Sequence, residues 1–148
     1  MLKDTVKTIG KLDVVLTDEN GKVKESFTVP NLVVQTGKNF IAHRMVGAGN
    51  SIMSHMGIGT NNTAAALNNT TLGTETARVS LTSATAASNV VTYVATFNAG
   101  TPATANAITE AGIFNAGSGG EMLCRTVFDV VNKGTLDTLS ITWTISNS

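Results

Sequence analysis

Apolar and polar residues alternate most strictly from Thr138 to Ile145, where Leu139, Ile141, Trp143 and Ile145 point one way and Thr138, Ser140, Thr142 and Thr144 the other. Period-two alternation marks a strand with one face in a core. The same signal opens the chain. Val6, Ile9, Leu12, Val14 and Leu16 supply a first strand, and Val23, Phe27 and Val29 supply its return. Between them Asp18-Glu19-Asn20-Gly21 is a turn, because Asn20 and Gly21 tolerate positive φ. Gly10 marks a bend or bulge in the first strand. Leu32-Val33-Val34 reads as a short buried strand. The spacing of Phe40, Ile41, Met45 and Ala48 predicts one helix over Thr36 to Ala48, capped by Thr36 and ended by Gly47 and Gly49.

Further strands are expected at Ile52 to Gly59, Val79 to Thr82, Val90 to Phe97, Ala107 to Phe114 and Met122 to Val131. Val90 to Phe97 reads as a central strand, since Val91, Tyr93, Ala95 and Phe97 share one face and Val90 and Val94 make the other partly apolar. Residues 60 to 74 are mostly Thr, Asn and Ala and read as a long loop with at most one turn near Ala64 to Leu67. Thr85 to Asn89 reads as a polar connection, Ala116 to Gly120 as a flexible turn, and the last half as a meander of about four antiparallel strands. The fold class that follows is all-β: an antiparallel β-sandwich or open barrel with one short helix at one end. The expected core contains Phe40, Tyr93, Phe97, Phe114, Phe128 and Trp143. The 148 residues form one domain, with an N-terminal hairpin over 1–29 and a core sandwich over 30–148.

Composition sharpens this picture. Charged residues are 14% of the chain, with ten basic and ten acidic side chains and no net charge; a typical soluble domain carries about 25%. No net field steers the chain toward nucleic acid or an acidic substrate. A surface of Thr, Asn, Ser and Ala costs less to desolvate than a charged one, so protein neighbours, including further copies of the chain, are the expected partners. Cys124 is the single cysteine, which excludes an intrachain disulfide. Lys7, Lys11 and Asp13 interrupt any early apolar run, so neither a secretory leader nor a membrane partner is expected, and synthesis in a reducing cytoplasm is.

No constellation of reactive residues emerges. His43 and His55 are twelve residues apart and match no compact ligand motif, so no metal and no cofactor are expected. Cys124 sits between Leu123 and Arg125 on a strand and reads as a small buried hydrophobe. Glu75, Glu110 and Glu121 could in principle supply a glycosidase pair, but nothing in the sequence sets two of them face to face. Structural ion pairs of Glu75 or Glu110 with Arg78 or Arg125 are the better reading, and no residue is expected to be catalytic. Gly57-Ile58-Gly59 is followed by Thr60 and lacks a phosphate-loop lysine. Trp143 and Tyr93 lie at core parity rather than forming a sugar platform.

Several segments carry a family resemblance. They are Pro30-Asn31-Leu32-Val33-Val34 with Thr36-Gly37-Lys38; Met56-Gly57-Ile58-Gly59-Thr60 followed by Leu72-Gly73, Glu75 and Arg78; Ile108-Thr109-Glu110-Ala111-Gly112-Ile113-Phe114-Asn115; Gly120, Met122-Leu123, Arg125-Thr126 and Phe128; and Lys133-Gly134, Asp137-Thr138-Leu139, Ile141 and Trp143-Thr144. Their ordered succession over about residues 30 to 146 resembles small virion structural proteins of tailed bacteriophages. The resemblance implies a non-enzymatic structural subunit in the virion, made in the bacterial host cytoplasm. Its partners would be the major capsid protein or tail and neck proteins. Head decoration (cement) is the first expectation. A tail, neck, collar or fibre-associated accessory, or a host-glycan-binding adhesin, is the alternative. A fibre shaft would need repeats or heptads, and the chain has neither. The hairpin over 1–29 is expected to reach over a neighbouring subunit.

Overall fold

The computed structural model describes residues 5–48 and 50–148. Among them, ten strands form two antiparallel five-stranded sheets with one helix. The strands are β1 (Thr8–Thr17), β2 (Val23–Pro30), β3 (Leu32–Val33), β4 (His55–Gly59), β5 (Glu75–Ser80), β6 (Ser83–Ala87), β7 (Val90–Phe97), β8 (Asn106–Phe114), β9 (Met122–Lys133) and β10 (Thr138–Asn147); helix α1 spans Gln35–Met45. One sheet, here sheet A, has the order β2-β1-β10-β7-β6; the other, sheet B, has the order β3-β9-β8-β4-β5. Both sheets keep two edges, so the architecture is a sandwich and not a barrel.

Alternation decides which side chains meet. Leu12, Val14 and Leu16 of β1, Ala95 and Phe97 of β7, and Leu139, Ile141, Trp143 and Ile145 of β10 face inward. They pack on Met56, Ile58, Ile108, Ala111, Ile113, Cys124, Phe128 and Val131 of sheet B. The expected core residues Phe40, Phe97, Phe128 and Trp143 lie in this cluster, and Phe27 meets Phe128 at 5.6 Å between ring centroids. Tyr93 is only half-buried at its margin. Phe114 is buried elsewhere, with Val34, Leu72 and Met122 in a second cluster.

Several sequence expectations need correction. The last four strands do not form a meander: β7 and β10 belong to sheet A, and β8 and β9 to sheet B. Strand β6 (Ser83–Ala87) takes in Thr85 to Ala87 of the expected polar connection Thr85 to Asn89, and it makes β7 one strand in from the edge. Gly10 keeps regular register opposite Ile145; what it provides is room for Asn31, whose amide carbon would lie 2.8 Å from an added Cβ. The hairpin is not a separable arm. All ten residues of β1 pair with β10, and β1 lies inside the sheet. Met1 to Asp4 of the expected hairpin, and the Gly49 expected to end the helix, lie outside the described residues.

The helix also differs from its pattern. Its N-cap is Val34, without a side-chain cap. The Thr36 hydroxyl instead donates to the Met122 carbonyl at 2.8 Å. Register shifts between β8 and β9 make Leu123 an extra residue between Met122 and Cys124. Gly37 passes so close to this bulge that a Cβ there would lie 2.8 Å from the Leu123 carbonyl carbon. Backbone contact replaces an apolar stripe: Phe40 is buried, Ile41 half-buried, and Met45 and Val46 are 82% and 81% exposed. No helix among the described residues is long and apolar enough to cross a membrane.

Candidate functional site

The outer face of sheet B is built around space for a loop. Gly57, Gly59, Glu110, Gly112 and Phe114 share that face through the register of β4 with β8. A Cβ at Gly59 would lie 2.6 Å from Glu110 Oε2 and would collide with the Thr74 carbonyl; one at Gly112 would lie 3.0 Å from Leu72. The glycines therefore let residues 60–74 lie flat on the sheet. This is the physical role of Gly57-Ile58-Gly59.

Glu110 pins that loop. Its carboxylate is fully buried and accepts from the backbone amides of Asn61 (3.0 Å), Gly73 (2.7 Å) and Thr74 (2.7 Å). Gly112 is the register partner of Arg125, and Glu110 that of Val127, so the two charges are diagonal neighbours on one face. Arg125 Nε and Nη2 each lie 3.1 Å from Glu110 Oε1, and Nη1 donates to Asn69 Oδ1 at 3.1 Å. A buried carboxylate needs such donors. Leu67 adds a further anchor, its carbonyl accepting from Gln35 at the start of α1 at 2.8 Å. The segment is thus an ordered Ω-like cover. Above Arg125, the side chains of Asn61, Thr63, Asn69 and Thr71 line a polar depression of about 380 Å³.

The second pair is Glu75 with Arg78. Residues three apart on a regular strand face opposite sides. Here Gly59 pairs with Glu75 and Ile58 with Ala77, so Thr76 is extra and the two charges share a face. Arg78 makes two 2.7 Å bonds to the Glu75 carboxylate, stacks 3.6 Å above the Phe114 ring centre, and donates to the carbonyls of Ala116 and Gly119. It fastens the 116–120 turn to the sheet edge. The four charged residues singled out from sequence therefore form Glu75–Arg78 and Glu110–Arg125, and both pairs hold loops.

The remaining candidates have structural partners. Glu121 Oε1 accepts from Asn115 Nδ2 at 3.3 Å. His55 sits between Ser54 and Ser80, its two ring nitrogens 2.8 and 3.3 Å from their hydroxyls, and His43 is exposed on α1. Among the described residues, no three His, Cys, Asp or Glu side chains gather in a way that could hold a metal ion. Cys124 is fully buried, and burial pushes its thiol pKa above the ordinary range, away from a nucleophilic thiolate. Burial also pushes the Tyr93 phenol up to about 12, with a smaller contribution from Cys124. An apolar groove of about 330 Å³ runs between α1 and sheet A, lined by Phe40, Ile41, Met45, Tyr93 and Ile145 with Arg44 at its side.

The outer face of sheet A has a different character. One cross-strand row reads Thr28, Asp13, Thr142, Val94, Ser83; the next reads Pro30, Lys11, Thr144, Thr92, Thr85. A third reads Ser26, Val15, Ser140, Thr96. Lys11 and Asp13 are the charges in these rows, and the Thr28 hydroxyl bonds to the Asp13 carboxylate. The rest is a field of hydroxyl and methyl groups across five strands. Sequence reading anticipated the low charge but missed the field, because its rows exist only once the strand order is known. Comparison with known proteins found no matching family model, no matching curated protein and no matching solved structure.

Proposed function

We propose that this chain is a non-enzymatic structural subunit of a tailed-phage particle, stabilising the virion through protein–protein contacts, and that capsid decoration is its role there. The observation that carries the reading is the Ser/Thr/Val field on the outer face of sheet A. Interface cores are depleted of charge, and hydroxyl groups lose less on dehydration than ions do. A standard contact of about 1,600 Å² repeated by particle symmetry gives a large total from modest single contacts. The choice of a phage particle rests on the ordered resemblance over residues 30 to 146. The engagement of Glu75, Glu110 and Glu121 by Arg78, Arg125 and Asn115 supports architecture over catalysis.

The polar depression over Arg125 favours one second reading, a host-glycan-binding adhesin, since Asn and Thr side chains suit a neutral polyol. The test is to purify particles of the virus that encodes the chain and count its copies. Hundreds per particle support decoration. Three, six or twelve, at the tail or neck, replace decoration with an accessory role. Glycan binding by those few copies, lost in Asn69→Ala, favours the adhesin. Absence from the particle overturns the proposal.

A further inference from the structure

Sheet edges expose unpaired backbone amides and carbonyls, and proteins usually guard them with charge, proline or brevity. Three of the four edges follow that rule. Strand β2 carries Lys24, Glu25 and a terminal Pro30; β5 carries Glu75 and Arg78; β3 is two residues long. Strand β6, Ser-Ala-Thr-Ala-Ala, has none of these devices. All five of its residues are exposed, including Ala84 and Ala86, whose partners Tyr93 and Val91 are half-buried. Among the described residues, the strand therefore overhangs the sandwich, open on both faces and along its outer edge.

We propose that β6 is where two copies of this chain join, edge to edge and antiparallel, making sheet A continuous across a two-fold axis. Self-pairing sets a strand against its own reverse. Centred on Thr85, the pair places Ser83 opposite Ala87, Ala84 opposite Ala86 and Thr85 opposite itself. Every pair is small and uncharged, and Thr–Thr pairs are favourable across strands. Strands β2 and β5 carry charges that a paired edge would have to strip of water, so they do not suit this role. The zero net charge of the chain adds no long-range repulsion between copies.

A foreign strand is selected through pockets or charges beside the edge. Strand β6 carries no charge, and none of its residues lines the apolar groove beside Tyr93 and Val91, so its own symmetry is the complementarity it has. The contact is isologous and closes on itself, giving a dimer and not a fibre. The row Thr144, Thr92, Thr85 then continues into its mirror sequence in the second copy, and the field on sheet A doubles in width. The inference deepens the assembly reading but stands without the particle, because it concerns the free chain.

The experiment is sedimentation velocity of the full chain over a hundredfold concentration range. The wild type is expected to show a reversible monomer–dimer equilibrium. Thr85→Lys and Thr85→Glu, each placing like charges across the axis, are expected to weaken it at least tenfold while leaving circular dichroism unchanged. Mixing the two variants is expected to restore a heterodimer. Hydrogen exchange on the wild type supplies a reading free of variants: amides of residues 83–87 should slow as concentration rises. A wild type that stays monomeric, a dimer indifferent to both charges, or amides at 83–87 indifferent to concentration would each overturn the proposal. A particle copy count bears on the virion reading alone, so the two fail separately.

Discussion

Replacing Glu110 with alanine tests the claim that one buried carboxylate organises the outer face of sheet B. The substitution removes the partner of Arg125, whose side chain is 3% exposed, and orphans the amides of Asn61, Gly73 and Thr74. Leaving one member of a buried ion pair alone costs about 3–5 kcal/mol. The orphaned amides do not add their full cost, because a released loop exposes them to water. A loss of about 4 kcal/mol is expected. At roughly 2–4 °C per kcal/mol for a chain of this size, Tm falls by about 8–16 °C. Urea unfolding followed by the fluorescence of the buried Trp143 reads the change as a lower midpoint. Arg125→Met restores an uncharged site when combined with Glu110→Ala, so the double variant should be less damaged than the two single losses added together. Hydrogen exchange should show the three loop amides opening in Glu110→Ala before the core does. A loss below about 1 kcal/mol, with those amides still protected, would refute the role given to Glu110.

Other consequences follow from the same contacts. Gly59→Ala forces a methyl group against Glu110 Oε2 and the Thr74 carbonyl and should cost roughly 1–3 kcal/mol; an unchanged urea midpoint would contradict the packing described. The Asp137 carboxyl is held below its ordinary range by the hydrogen bond from Lys24 and then by the Gly134 amide. Its contribution is therefore present above the unfolded value of about 3.9 and is lost as pH falls through the folded value. Lys24 is half-exposed, so the effect is modest. Asp137→Asn should flatten the acid limb of the stability profile, and an equally steep limb would count against the pair. The Cys124 thiol has its pKa raised by burial, so its contribution is complete below the unfolded value of about 8.5 and declines as the unfolded chain ionises above it. Cys124→Ala should remove that decline between about pH 8.5 and 10, and the unchanged slope would show that the thiol is not its source.

The readable parts of the chain are those in which burial leaves a local period. Strand β10 alternates from Thr138 to Ser146 because one face meets the core and the other does not. The β1–β2 turn was legible because Gly21 adopts φ 80° and Asp18 Oδ1 accepts from the Asn20 and Lys22 amides. Strand β6 was not legible, since a strand that overhangs its sheet buries neither face and leaves no period. The helix misled for a related reason: Gly37 docks by backbone approach, so Met45 and Val46 at the far end owe the core nothing. The four ion-pair residues stood out by type, but their partners depend on register. One extra residue at Thr76 brings Glu75 beside Arg78, and the β8–β9 offset brings Glu110 beside Arg125. The glycines at 57, 59 and 112 fall inside stretches that read as strands, and they act as spacers under a loop that only the fold lays over them.

Hydroxyl-radical footprinting of the free chain and of the chain within purified particles addresses the assembly claim most directly. Val15 and Val94 lie on the outer face of sheet A and report on that face, while exposed Leu136 lies outside its rows and serves as the reference. The expected result is that Val15 and Val94 lose oxidation in the particle relative to Leu136. Equal oxidation of both valines in the free and assembled states would contradict the assignment of that face to a protein contact.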